Sequence, residues 1–112
     1  MNHYEKKIIN KTPHPVNLLV GDKVFTFPKA DDPIRLSSEE VLSANIGNDD
    51  YTFPVYTVKY GSGNMPEQEN GVAYIVSALV KNAYPDRPDL LIPHGLVRDH
   101  DGNIIGCRGF AQ

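Results

Sequence analysis

The chain has 112 residues, 40% hydrophobic and 22% charged, with 11 Lys and Arg against 14 Asp and Glu for a net charge of −3. That length fits one domain of about 100–200 residues, and the apolar content is too high and the net charge too small for a chain disordered throughout. The acidic balance gives no basis for binding a nucleic-acid duplex through its backbone, and no apolar run approaches the roughly 18 residues of a membrane helix.

Residues 1–7 are polar and read as a frayed end. They lack the apolar stretch of a secretory signal, so the cytoplasm is the expected location. Ile8-Ile9-Asn10 begins a strand, which Thr12-Pro13-His14-Pro15 breaks because two prolines remove two backbone donors. Val16–Val20 and Lys23–Phe27 have strand composition. The two-residue Gly21-Asp22 link between them predicts a hairpin with a type I′ or II′ turn. Residues 28–38, with Pro28, Pro33 and two adjacent aspartates, read as a connection. Glu39–Asn45 admits two readings. Ser37 followed by Glu40 fits a capping box and a short helix, whereas Val41, Ser43 and Asn45 share one face of a strand. The turn cluster Gly47-Asn48-Asp49-Asp50 favours the strand. Tyr51–Tyr60 is a strand with Val55 and Thr57 on one side and Tyr56, Val58 and Tyr60 on the other; Pro54 marks an edge or a bulge.

Residues 61–71 form a polar loop near the length at which loops become functional or mobile, a candidate lid. Tyr74-Ile75-Val76 is a short buried strand. Ser77 is the expected N-cap of a helix over Ala78–Tyr84, ended by Pro85, with Leu79, Val80 and Ala83 as its buried face. Leu90-Leu91-Ile92 is a further apolar run closed by Pro93. A second hairpin pairs Leu96–Asp99 with Ile104–Cys107 about an Asp101-Gly102 turn, setting Arg98 opposite Ile105 and Asp99 opposite Ile104. The expected fold class is α+β: one domain over residues 1–112, with a small, mostly antiparallel sheet, two hairpins and one principal helix. So short a helix needs packing against the sheet, and the edge strands of so small a sheet predict a homo-oligomer.

Three segments in this order resemble a family of small uncharacterised bacterial and phage proteins: Asn10-Lys11-Thr12-Pro13-His14-Pro15-Val16-Asn17, then Tyr74-Ile75-Val76-Ser77-Ala78-Leu79-Val80, then Arg87-Pro88-Asp89-Leu90 through Val97-Arg98-Asp99 to Gly106-Cys107-Arg108. They match its TPH, IVS and RxDL…VRDxxGxxxGC motifs. The resemblance covers nearly the whole chain except residues 28–50. It implies a bacterial or phage setting, hence the host cytoplasm for a phage product, and no established activity. By analogy of size and setting alone, an anti-defence role that sequesters a nucleotide signal is in view.

Several residues carry candidate chemistry. His14 is held between two prolines, so its imidazole is presented at little entropic cost to a ligand or as a general base; the plainer reading is a histidine that satisfies a backbone carbonyl. Ser77 caps a helix whose free N–H groups suit an anion, although capping alone also explains it. Arg87, Arg98 and Arg108 are three of four arginines and lie late in the chain, where they serve either bidentate anion binding or ion pairs with Asp89 and Asp99. Cys107 reads as a buried, inert thiol. His14, His94 and His100 lack a metal-ligand spacing, and no Gly-rich phosphate loop or Gly-x-Ser-x-Gly elbow is present. Tyr51, Tyr56, Tyr60 and Tyr74 read as core and sheet-face residues, with base stacking open to one or two of them.

These residues favour a non-enzymatic binder of a small anionic, nucleotide-like ligand. Its expected contacts are Thr12, His14, Ser77, Arg87, Arg98 and Arg108, with no catalytic residue, cofactor or metal. The alternatives are a hydrolase or phosphodiesterase with His14 as base, and a protein-interaction module acting through an exposed strand edge.

Overall fold

Gly21 and Asp22 close the first hairpin as their sequence requires. Val20 pairs with Lys23, and the register runs without a break to Val16 opposite Phe27. Gly21 has φ +62° and Asp22 does not take a positive φ, which is the pattern of a type II′ turn. This hairpin joins β2 (Val16–Val20) to β3 (Lys23–Phe27) in a computed structural model that describes residues 7–112. The frayed end expected over residues 1–7 lies outside the described residues up to residue 6; Lys7 already belongs to β1 (Lys7–Asn10).

The other elements are β4 (Ser37–Gly47), β5 (Thr52–Gly61), β6 (Val72–Ile75), α1 (Ala78–Ala83), β7 (Leu90–Arg98) and β8 (Ile104–Ala111). Six strands form one sheet in the order β1-β6-β7-β8-β2-β3, and β4 and β5 form a separate two-stranded ribbon. The main sheet is mixed, which corrects the mostly antiparallel expectation: β1–β6, β6–β7 and β2–β8 pair in parallel. Parallel neighbours arise because the chain leaves β1 and β6 for distant elements before returning, where a tight turn would have given an antiparallel pair. The residues Glu39–Asn45, open to helix or strand in the sequence, are strand.

Pro93 does not close a short strand; β7 runs through it for nine residues. The parallel ladder explains why. Tyr74 N donates to Asp89 O at 2.8 Å and Val76 N to Leu91 O at 2.8 Å. The next rung would need an N–H at residue 93, and proline has none. Pro93 therefore ends the β6–β7 ladder, while pairing with β8 continues from Ile92 opposite Ala111 to Arg98 opposite Ile104. The same register corrects the second hairpin, where Arg98 meets Ile104 instead of Ile105 because the ladder shifts between Val97 and Arg98. The loop is also longer than an Asp101-Gly102 turn. Asp99 Oδ1 accepts the amides of Asp101 (2.9 Å) and Asn103 (3.0 Å), and Gly102 takes φ +86°. A short polar side chain that captures its own downstream amides favours the wider loop.

The core sits where β6, β7 and α1 meet. Tyr74, Val76, Val80 and Leu90 are buried together, with Ile34, Leu36 and Met65 packed against them from the connections. Ser77 caps α1, its Oγ accepting from Val80 N at 3.3 Å. Tyr84 is the C-cap instead of the last helical residue. Leu79 is 56% exposed, contrary to its expected place on the buried face. With six residues α1 presents little more than one inward position, and Val80 takes it. The loop after β5 is anchored: Ser62 N donates to Tyr84 Oη at 2.8 Å, and Asn64 Nδ2 donates to Pro33 O at 2.9 Å.

Candidate functional site

The Thr12-Pro13-His14-Pro15 loop is organised by Asn10, a buried residue at the end of β1. Asn10 Oδ1 accepts from Thr12 N (2.9 Å) and Thr12 Oγ1 (2.7 Å), and its Nδ2 donates to His14 O (2.8 Å) and Phe27 O (3.2 Å). All of the carboxamide's hydrogen-bonding capacity is used. Since β1 and β3 are the two edges of the sheet, the bond to Phe27 O shows the sheet curled until its edges meet at one end. His14 contributes its backbone to this network and is itself exposed. Among the described residues no hydrogen bond or ion pair holds its imidazole, so neither the plain carbonyl-satisfying role nor an orienting carboxylate is seen. The single hydroxyl proton of Thr12 is shared between Asn10 Oδ1 and His14 O (2.9 Å).

Ile75 is opposite Asn10 in the β1–β6 ladder, so Ser77 and the Thr12–His14 loop leave the sheet at the same end. The arginines do not join them. Arg87 grips Asp89 bidentately, Nε to Oδ1 at 2.9 Å and Nη2 to Oδ2 at 2.8 Å, with Asp89 only 4% exposed. That hydrogen-bonded pairing raises the Arg87 pKa above its ordinary value. Arg98 lies seven residues beyond Leu91, the β7 partner of Ile75, and donates Nη1 to Gly102 O at 2.9 Å across its own loop. Leu96 pairs with Cys107, so strand alternation puts Arg98 on the Cys107 side and Arg108 on the other face of the sheet. Cys107 is buried, its Sγ donating to Asn17 O at 3.5 Å. Among the described residues no group of three His, Cys, Asp or Glu side chains could hold a metal. A depression of about 170 Å³ beside Cys107, lined by Val16, Pro93, Leu96 and Ile105, is smaller than the roughly 300–1,000 Å³ of a typical ligand pocket.

The feature that stands apart is the β4–β5 ribbon. Every residue from Ser37 to Tyr60 is exposed, yet nine of them are large and apolar. The ladder assigns them to faces. Leu42, Tyr56, Val58 and Tyr60 share one side; Val41, Ala44, Ile46, Phe53 and Val55 share the other. Ser43 is the extra residue of a bulge between Leu42 and Ala44. At the tip, Tyr51 and Phe53 stack edge to face with centroids 5.3 Å apart. At the root, a groove of about 530 Å³ lies between β5 and α1, lined by Val58, Lys59, Tyr60, Leu79, Asn82 and Ala83. Leu79 thus faces this groove instead of the core. Tyr51, Tyr56 and Tyr60 are half-exposed on the ribbon, and only Tyr74 of the four tyrosines belongs to the core.

No family model, curated protein or solved structure matches the chain. The site must be read from its own chemistry. Two apolar faces on a ribbon two strands wide offer an unusual amount of exposed apolar contact area. Sequence reasoning missed this surface. Its signal was present as neighbouring apolar pairs, Val41-Leu42 and Val55-Tyr56, which load both faces of a strand where a half-buried strand would alternate with polar residues.

Proposed function

We propose that this protein is a non-enzymatic interaction module that works by packing the β4–β5 ribbon against another polypeptide. One observation carries the reading: the exposure of every residue from Ser37 to Tyr60 in a segment with nine large apolar side chains. An isolated two-stranded hairpin is marginal in water, and contiguous apolar surface of this extent marks an interaction site. No helix among the described residues is long and apolar enough to cross a membrane; we place the module in the cytoplasm of a bacterium or phage host on the strength of the motif resemblance. The anionic-ligand reading has no comparable support, because Arg87 is engaged by Asp89 and Arg98 and Arg108 face apart. A photo-crosslinking residue at Phe53, in the cells that express the protein, tests the proposal. Covalent capture of a polypeptide at Phe53, and none at the exposed Lys23 on β3, is expected; equal or no capture at the two positions overturns it.

A further inference from the structure

We infer that the partner of the ribbon is a second copy of this chain, whose own ribbon lies antiparallel against it, tip to root. The inference rests on the association reading above and names its occupant.

The first support is the amount of surface. The chain presents 8413 Å², whereas a compact monomer of this mass presents about 6,100 Å². Its radius of gyration is 18.4 Å, against about 13 Å for a compact domain of this length. The large apolar side chains of the ribbon alone expose on the order of 900 Å², close to the roughly 800 Å² each partner contributes to a standard interface. Both faces of the ribbon are apolar, so a flat partner would leave one of them wet. A ribbon exchanged between two copies lies between its partner's ribbon and its partner's body, and both faces are covered.

The second support is that the tip of the ribbon complements the groove at its root. Residues 41–48 and 51–58 carry no charge, as in the desolvated centre of an interface. The tip joins Asp49 and Asp50 to the Tyr51–Phe53 pair, and neither tip carboxylate has an ion-pair partner among the described residues. The root groove is lined by Lys59, Asn82 and apolar groups and by no carboxylate; Glu39, opposite Lys59 in the ladder, and Glu40 lie outside that lining. β5 spans about 33 Å at the usual rise per residue, so in an antiparallel pair each tip reaches the other copy's root. Two-fold symmetry makes that contact twice, placing aromatic rings in apolar grooves and tip aspartates beside Lys59. A parallel pair would set four tip aspartates against one another.

The test uses the purified full-length chain. Sedimentation velocity across the micromolar range is expected to show a defined homo-oligomer, and Ile46→Glu with Phe53→Glu to weaken self-association by about tenfold or more with the far-UV circular dichroism retained. Disulfide trapping then reads the direction: an Asp50→Cys copy mixed with an Asn82→Cys copy is expected to cross-link, in preference to Asp50→Cys with itself. A wild-type monomer at all concentrations, an oligomer indifferent to the ribbon substitutions, or preferential tip-to-tip trapping overturns the inference. A monomer whose Phe53 crosslinks to a different protein in cells overturns self-association and leaves the interaction module standing. A monomer with no crosslink in cells overturns both.

Discussion

A single carboxamide does more for this fold than the histidine beside it. The rigid Pro-His-Pro segment draws attention to the His14 imidazole, but the structure uses His14 through its backbone, which Asn10 holds together with Thr12 and the end of β3. Asn10 is only 7% exposed, and removing its side chain removes four hydrogen bonds from this loop. Asn10→Ala is expected to lower stability by about 2 kcal/mol, measured by urea denaturation, while His14→Ala changes it by less than about 0.5 kcal/mol. Thr12, His14 and Ser77 leave the sheet at one end, a convergence the sequence left open, and the arginines do not join them. Whether two side chains on a hairpin share a face depends on its register, and the one-residue shift at Val97 cannot be read from composition.

At the scale of elements, local chemistry decided turns and caps, and partners decided the rest. Gly21-Asp22 and Ser77 act as their residue types demand. Ser77→Ala is expected to cost about 1 kcal/mol, read as faster hydrogen exchange of the α1 amides with little change in the β7–β8 ladder. Pro93 shows the opposite case. Alone it marks a strand end, yet β7 passes through it because only the β6 side of the ladder needed the missing donor. Leu79 is similar: its helix is legible, but its outward direction follows from the ribbon root lying beside α1.

The whole molecule has a small core and a large surface, and that disproportion shapes its stability. Tyr74 lies in the core, where burial first, and the carboxylates Glu69 and Asp89 next, raise its phenol above the ordinary value of 10.0. The folded chain therefore holds this proton at pH values where the unfolded chain has lost it. Stability is undiminished below the unfolded value and falls as pH rises from there toward the folded one. Tyr74→Phe is expected to flatten that alkaline limb in denaturation curves taken at successive pH values, with little change at neutral pH. The sequence by itself determined most of the strands, the first hairpin and the capped helix, because these follow from side-chain periodicity and turn chemistry acting over a few residues. Only the tertiary structure decided that the sheet is mixed, that the arginines face apart, and that β4 and β5 stand away from the core with both faces bare. Those outcomes depend on which distant strand each segment meets; the neighbouring apolar pairs of β4 and β5 record that both faces are apolar, and not what those faces meet.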